Sequence, residues 1–228
     1  MKISVIIPAY NEAQYLRRCL ESLQKQEELA DEVIVVDNNS KDDTASIASS
    51  FGVRVVKELS QGITPARNTG FNTASGDIIA RCDADTILPP DWIKRIKKHF
   101  ENGNIDGLTG GVLYYDLGVI KQNSFLGNLY SLFISLLLPN VTILLGMNYM
   151  LTRKAWETVK DEICLNDKEV HEDIDLSIHL ARHGFVIKRD SSLIAKSSAR
   201  RIKNKPTSFF IEYPYRVLTT VFRNHTKK

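Results

Sequence analysis

Cysteine is scarce in this 228-residue chain: Cys19, Cys82 and Cys164 are scattered, with no C-x-x-C spacing. That count excludes an even disulfide framework and a cysteine-built zinc site, and sets the expectation of reduced thiols and a cytoplasmic chain. The opening apolar run in MKISVIIPAYNE is cut at Pro8, too short for a signal peptide. Glycine is missing from VIIPAYNE, so the glycine-rich cradle expected of a protein gripping a nucleoside triphosphate is not there. Helix-turn-helix, zinc-finger and RNP patterns are missing too, and nucleic acid is not an expected partner. Charge is absent from residues 122 to 152, yet Pro139, Asn140 and Thr142 break that stretch into pieces shorter than the roughly 20 apolar residues of a transmembrane helix. No internal repeat or low-complexity segment interrupts the chain.

What is present is an ordinary globular composition, 43% hydrophobic and 25% charged, able to bury a core as one large domain or two fused halves. Net charge is +3 but uneven. From Lys188 to Lys228 there are 11 Lys/Arg against 2 Asp/Glu, a balance of +9, which leaves −6 for residues 1 to 187. By itself, such a basic end suits nucleic acid, an anionic membrane surface or a phosphorylated ligand.

The N-terminal half alternates strand and helix signals. ISVIIPAY is the continuous apolar run of a strand covered on both faces. Asn11 and Gln14 have the spacing of a helix cap, and Leu16, Leu20 and Leu23 form the buried stripe of the helix that follows. DEVIVVDNNS reads as a second strand, DDTASIASSFG as a helix closed by Gly52, and VRVVKE as a third strand. Thr64 and Pro65 read as cap and first position of another helix, and DIIARCDAD as the fourth strand. Repeated βα units of this kind predict an α/β fold with a mostly parallel sheet between helix layers.

Ligands of such sheets gather at the carboxyl ends of the strands. Tyr10, Asn11 and Glu12 fall there after the first strand, Asp37 after the second, Arg67 in the third helix, and Asp83 with Asp85 after the fourth. In an extended segment residues i and i+2 point to one side, so Asp83 and Asp85 present both carboxylates to one point. Like charges that close repel unless a cation lies between them. Mg²⁺ or Mn²⁺ is commonly held by one or two carboxylates and completed by substrate phosphates and water. A lone D-x-D is more often a solvated turn; the three other polar signals at the same edge favour the metal.

VIIPAYNE, VIVVDNNSKDDT, ARNTGFNTASGDIIARCDADT and HEDIDLSIHLARHGF, in this order and spacing, resemble the motif series of the family 2 glycosyltransferases with the GT-A fold. The resemblance covers about residues 3 to 200. It implies nucleotide-binding and acceptor halves fused into one domain, and an inverting, metal-dependent transfer from a nucleoside diphosphate sugar. It also implies that Pro8 and Tyr10 border the nucleoside with Glu12 nearby, that Asp37 hydrogen-bonds the base and that Arg67 contacts the nucleotide. By the same likeness Asp83 lies near ribose and metal, Asp85 ligates the metal, Asp173 is the catalytic base, and Glu172 belongs to the substrate site. A buried carboxylate at Asp37 accepts from ring N–H groups of uracil or guanine, which favours UDP or GDP donors.

The expected division is 1–115 for the nucleotide-sugar half, 116–200 for the acceptor half and 201–228 for a basic, aromatic C-terminal element. DGLTGGVLYYD should be a strand, Asn123 to Leu138 a helix, and VTILLGMNYML a buried strand. The uncharged stretch is either ordinary core or an apolar surface for a lipid-linked acceptor or a membrane. HEDIDLSIHLARHG reads as a helix closed by Gly184, with Glu172 and Asp173 in a first turn where the helix dipole favours negative charge. The dipole alone would account for acids there; the family likeness assigns the base. His171 is a polar neighbour of the site or a structural histidine.

Many relatives carry a metal-binding histidine after the strand matching SSLIAK, where this chain reads SSARR, so a third protein ligand stays open. Arg200 and Arg201 are candidates to grip a donor diphosphate or an anionic acceptor, or else form a solvated basic pair. The Q-x-x-R-W signature of processive synthases is missing, and single-sugar transfer is expected. The acceptor is expected to be a hydroxyl, on a glycan or a lipid-linked glycan. The alternatives are a polyprenyl phosphate acceptor, a sugar nucleotidyltransferase, or a non-catalytic sugar-nucleotide binding module. The tail either docks as a terminal helix or lies on anionic lipid at the inner face of a membrane.

Overall fold

The computed structural model describes residues 1–117, 134, 136–204, 207 and 211–226, with the side chains of 201, 202, 225 and 226 outside that set. Its first half is the expected βα alternation: β1 (Ile3–Ala9), α1 (Ala13–Gln24), β2 (Glu32–Asp37), α2 (Thr44–Ser50), β3 (Arg54–Lys57), α3 (Ile63–Thr73), β4 (Ile78–Arg81) and α4 (Trp92–Asn102). Then come β5 (Gly107–Tyr114), β6 (Tyr149–Thr152), α5 (Arg153–Val159), α6 (Glu172–Arg182), β7 (Ile187–Ser197), α7 (Arg200–Asn204) and α8 (Tyr213–Thr226). Among the described residues, seven strands form one sheet in the order β3-β2-β1-β4-β6-β5-β7. β3, β2, β1 and β4 are parallel, β6 runs antiparallel to both neighbours, and β5 pairs β7 in parallel.

The strands alternate their side chains between two helix layers, as the period of two requires. Ile3, Val5 and Ile7 pack toward α1 and α4, with Leu16, Leu20 and Trp92, whereas Ile6, Ile34 and Ile79 pack toward α3, α5 and α6, with Phe71, Trp156 and Leu176. All seven residues of β1 are buried, which is why its sequence shows no polar alternation. Gly52 (φ +70°) and Gly184 (φ +73°) close their helices in the left-handed conformation, as read from the sequence.

Four expectations need correction. Asn11 and Gln14 form no cap box: Asn11 turns left-handed (φ 53°) where the chain leaves the sheet, and its Oδ1 accepts from the Lys41 amide. The first amides of α1 are instead satisfied from the α2 end, Ala13 N donating to Asp42 and Glu12 N to Thr44 Oγ1. Thr64 lies inside α3, and its amide and hydroxyl donate to Asp167. VTILLGMNYML is a strand only from Tyr149. Before that, the amides of Leu144, Leu145 and Gly146 donate to Ser177 Oγ, Thr109 Oγ1 and Asp173 Oδ2, so the segment leaves the ladder for side chains of α6 and β5. The strand expected at SSLIAK begins earlier, at Ile187, with an irregularity opposite Gly110 and Gly111. The helix expected over 123 to 138 falls mostly outside the described residues; its end contributes Ile134 and Leu138 to a cluster with Ile174, Ile178, Val217 and Val221.

A Cβ added at Gly70 would overlap Ile6 Cγ2 and stand 2.9 Å from Val36 Cγ2, so α3 lies with its backbone directly on β1 and β2. Gly70→Ala is expected to lower stability by roughly 1–3 kcal/mol through overpacking, read as a fall in denaturant midpoint. An unchanged midpoint would mean that α3 has room the packing does not show.

Candidate active site

The parallel strands β1, β2 and β4 deliver Pro8, Asp37 and the Asp83–Asp85 segment to one edge of the sheet, but β4 ends at Arg81, and Asp83 to Asp85 lie in a turn closed by the Thr86 amide on the Asp83 carbonyl rather than in the extended strand expected. Asp37, the last residue of β2, is buried and accepts from the Ser40 amide at 3.1 Å. Beside it, Asn38 is pinned by the Glu58 and Ser60 carbonyls and accepts from the Gly62 amide at 2.8 Å, which fixes the loop entering α3. Tyr10 stays 45% exposed at the rim.

Below that edge lies a buried ionic network. Arg67 on α3 is fully buried; Nη1 donates to Glu172 Oε2 at 2.8 Å and to the Glu172 carbonyl at 3.3 Å, and the guanidinium also donates to Asn68 Oδ1. Arg81 at the end of β4 donates from Nη1 to Glu172 Oε1 at 2.7 Å and Asp173 Oδ1 at 3.1 Å, and from Nη2 to Asp83 Oδ1 at 3.2 Å. Arg67, expected at a nucleotide, spends Nη1 on the first turn of α6 and Nε with Nη2 on its neighbour Asn68. Burial alone would raise the Glu172 carboxyl, but the charges of Arg81 and Arg67 outweigh it and hold Glu172 below the usual carboxylate range. Asp173 goes the other way: burial and the Glu172 charge push it up against the pull of the two arginines. A buried carboxylate with raised proton affinity is what a general base working near neutral pH requires.

Around Asp85 the balance is reversed. Asp85 accepts from Ser197 Oγ at 3.0 Å and from Arg200 Nε at 3.2 Å, while Arg200 Nη2 donates to Glu12 Oε1 and the guanidinium lies 4.4 Å above the Tyr15 ring. Among the described residues, the buried Glu12 Oε2 has no hydrogen-bond partner. Burial pushes Glu12 up to about 7, opposed by Arg200 and reinforced by the charges of Asp85 and Asp83. Burial and then Asp83 raise Asp85 as well. Two converging carboxylates, Glu12 and Asp85, each raised in part by neighbouring negative charge and with an orphaned buried oxygen on Glu12, fit a hard, oxygen-ligated cation. Among the described residues no group of three or more His, Cys, Asp and Glu is arranged to hold a metal alone, so Asp83 and Asp85 would share it with phosphates and water.

Asp83, Asp85, Glu12, Arg200, Glu172 and Asp173 are therefore brought together, with Pro8, Tyr10 and Asp37 along the same edge. The Arg201 side chain lies outside the described residues. His171 precedes α6; its amide donates to Thr220 Oγ1 at 2.8 Å, its ring stands edge-on to Tyr213, and its charge acts on Glu172, so it neighbours the site as well as bracing the helix. Sequence reasoning missed Arg81, Tyr15 and Ser197. Arg81 left one trace, a charge at the end of the buried run IIAR.

Residues 4–159 match the family described as Glycosyl transferase family 2. Glycosyltransferase AglE of Haloferax volcanii is 36% identical over 118 residues, 48% of this chain and 39% of that protein. A dolichol-phosphate mannosyltransferase of Pyrococcus furiosus is 34% identical over 137 residues, 58% of this chain and 38% of that protein. The chain thus spans about two fifths of the length of these curated relatives. Among solved structures, mannosyltransferase PcManGT from Pyrobaculum calidifontis, in complex with GDP-Man and Mn²⁺, superposes with a TM-score of 0.77 at 20% identity, covering 100% of this chain and 64% of that one. Glucosyl-3-phosphoglycerate synthase from Mycobacterium tuberculosis, with Mn²⁺, UDP and glucosyl-3-phosphoglycerate, gives 0.64 at 21% identity over 90% of this chain and 75% of that one. Both share the mixed α/β GT-A fold.

Glu172 is the anion common to two buried arginines. Glu172→Ala should cost about 3–5 kcal/mol, because both guanidiniums lose a buried partner, measured as a drop in unfolding free energy. Stability within 1 kcal/mol of the parent would show that water or another carboxylate replaces it at little cost.

Proposed function

The chain belongs to glycosyl transferase family 2, and on that premise we propose that it moves one sugar, with inversion, from a UDP- or GDP-sugar to an acceptor hydroxyl, on a glycan or lipid-linked glycan. One observation carries the reading: α6 sets Asp173, a buried carboxylate of raised proton affinity, one guanidinium away from Asp83. Donor and acceptor chemistry thereby face each other across Arg81. The neighbours holding GDP-Man or UDP with Mn²⁺ support the donor class and the divalent ion.

Pro8 and Tyr10 would border the nucleoside and Asp37 would accept from the base. Arg200, with a planar fork and a position at the carboxylate edge, would turn to the diphosphate, and Arg201 next to it is a second candidate. Asp173 takes the acceptor proton as the acceptor oxygen attacks the anomeric carbon from the face opposite the diphosphate; the bond from that carbon to the phosphate oxygen breaks, and its electrons leave with the diphosphate. Mg²⁺ or Mn²⁺ held at Asp83 and Asp85 would stabilise the charge growing on that leaving group.

The name of the Pyrococcus relative raises a second reading, transfer to a polyprenyl phosphate. An anionic acceptor oxygen needs cations rather than a base, and the cations beside Asp173, Arg67 and Arg81, are committed to Glu172, Asp173 and Asp83. That favours a hydroxyl. An anionic membrane surface remains a proposed partner on the strength of the basic C-terminal charge. Among the described residues no helix is long and apolar enough to cross a membrane. α8 docks on α6 through Val217 and Val221 and leaves Tyr215 and Phe222 exposed on its other face, so contact with lipid would fall to those side chains together with exposed cations such as Lys196.

Release of UDP or GDP that depends on an acceptor is the defining assay; release of pyrophosphate would point to nucleotidyl transfer instead. Chelation, or Asp85→Ala, is expected to remove Mn²⁺ binding and turnover while the fold persists. Full activity in excess chelator would refute a role for the metal.

With a hydroxyl acceptor, Asp173→Asn should lower turnover by roughly 10²–10⁴-fold with little change in donor affinity. Asp173 must be ionised to act and its proton affinity is raised. In the parent, kcat/KM should therefore climb with pH at values above the ordinary carboxylate range, and Asp173→Asn should abolish that limb. With a phosphate acceptor the Asp173→Asn loss should be small and Arg201→Ala the damaging change.

A further inference from the structure

The family likeness gives no role to Arg81, yet its geometry bears on the reaction. It ends β4, two positions before Asp83, and is 2% exposed. One guanidinium touches Asp83 Oδ1 at 3.2 Å from Nη2 and Asp173 Oδ1 at 3.1 Å from Nη1. The other Asp173 oxygen accepts from the Gly146 amide at 3.1 Å. A Cβ at Gly146 would stand 2.6 Å from Asp173 Oδ2 and 3.2 Å from Arg81 Nη2, so the backbone closes over this pair with no room for a side chain. Among the described residues the buried Arg81 Nε has no hydrogen-bond partner, so the carboxylates, with the Tyr149 ring 5.7 Å from the guanidinium carbon, are what aim the fork.

Neutralising Glu172 does not require Arg81, because Arg67 already donates to Glu172 Oε2 at 2.8 Å and to its carbonyl. What Arg81 adds is the link between Asp83 and Asp173. A rigid planar fork holds two acceptors at a set separation and orientation; a lysine ammonium is a point charge on a flexible stem.

We propose that Arg81 is a positioning residue for sugar transfer, fixing the Asp173 carboxylate relative to Asp83 so that the base faces the donor. The proposal rests on the transferase reading above. A base displaced by about 1 Å loses on the order of 10²-fold in rate.

The test compares Arg81→Lys, Arg81→Gln, Asp173→Asn and the double variant Arg81→Lys/Asp173→Asn in the full chain. Turnover is measured alongside calorimetric binding of UDP or GDP with Mn²⁺ and thermal unfolding. Arg81→Lys is expected to lower kcat by about 10²-fold with nucleotide affinity held within about threefold, and the double variant to be no slower than Asp173→Asn alone, since no base is left to position. Losses that multiply in the double variant, or parent kcat in both Arg81 variants, would overturn the proposal. Folding is expected to survive because Arg67 still pairs Glu172; unfolding of both Arg81 variants would make Arg81 a stability residue and also overturn it. A parent protein that transfers no sugar from any UDP or GDP donor would sink the transferase reading and this proposal with it. An active parent with unaffected Arg81 variants would sink this proposal alone.

Discussion

Two guanidiniums buried against an apolar sheet must find anions, and the arrangement of the second half of the chain follows from that need. An unpaired charge at such depth costs several kcal/mol, more than most single packing contacts return. Arg67 and Arg81 come from α3 and β4, elements of the nucleotide half, while Glu172 and Asp173 come from the first turn of α6. Meeting the charge requirement therefore brings α6 over the carboxyl edge of β4 with its N-terminal turn inward. Hydrophobic contacts between Leu176, Leu180 and Phe71 hold the helix against the sheet, but contacts of that kind are non-directional. The hydrogen-bonded charges settle which turn of the helix faces the site.

Two zones of opposite balance result. Around Glu172, two arginines serve one glutamate and part of an aspartate, and Glu172 is held ionised. Around Asp85, the carboxylates of Glu12, Asp83 and Asp85 share Arg200 and one arm of Arg81, and both Glu12 and Asp85 hold their protons more tightly than usual. The first zone is satisfied and fixes geometry. The second is short of positive charge, and an added cation would relieve it. Arg200 already stands there, stacked on Tyr15 and paired with Asp85; on the function proposed above, a divalent ion at Asp85 would compete with that guanidinium and leave it for the diphosphate.

The legible part of the fold was the part built from local pattern. Apolar runs such as ISVIIPAY and VIVV announce doubly covered strands, and Gly52 and Gly184 announce helix ends because the left-handed backbone there suits glycine. The carboxyl-edge cluster followed once the strands were ordered. What stayed hidden depends on partners far along the chain. Arg81 pairs with residues 91 and 92 positions away, so IIAR reads simply as a strand with a polar end. Asn11 and Gln14 had the spacing of a cap, but Asp42 and Thr44 from the next unit reached those amides instead. The amides of residues 144 to 146 looked like strand amides because nothing local shows that side chains on β5 and α6 receive them.

The C-terminal helix shows how far the demand for placement at α6 extends. Read as sequence, its cations and aromatics suit a membrane surface as well as a docked helix. In the structure Thr220 receives the amide of His171, immediately before α6, and Asn224 donates to Asp175 and accepts from Arg182 on α6 itself. Asp175 is the third buried acid in the same first turn, two residues from Asp173, and its other oxygen accepts from the Cys164 amide. Three acids in one buried turn repel one another, and each needs its own donors: arginines for Glu172, Arg81 and a glycine amide for Asp173, and a backbone amide with an asparagine from the tail for Asp175. Asn224 supplies its hydrogen bond without adding charge, so it steadies Asp175 while leaving the field at Asp173 to Arg81 and Glu172. On this account α8 is part of the support of the turn that carries Asp173, and the face that docks it is chosen by the same electrostatics that place Asp173.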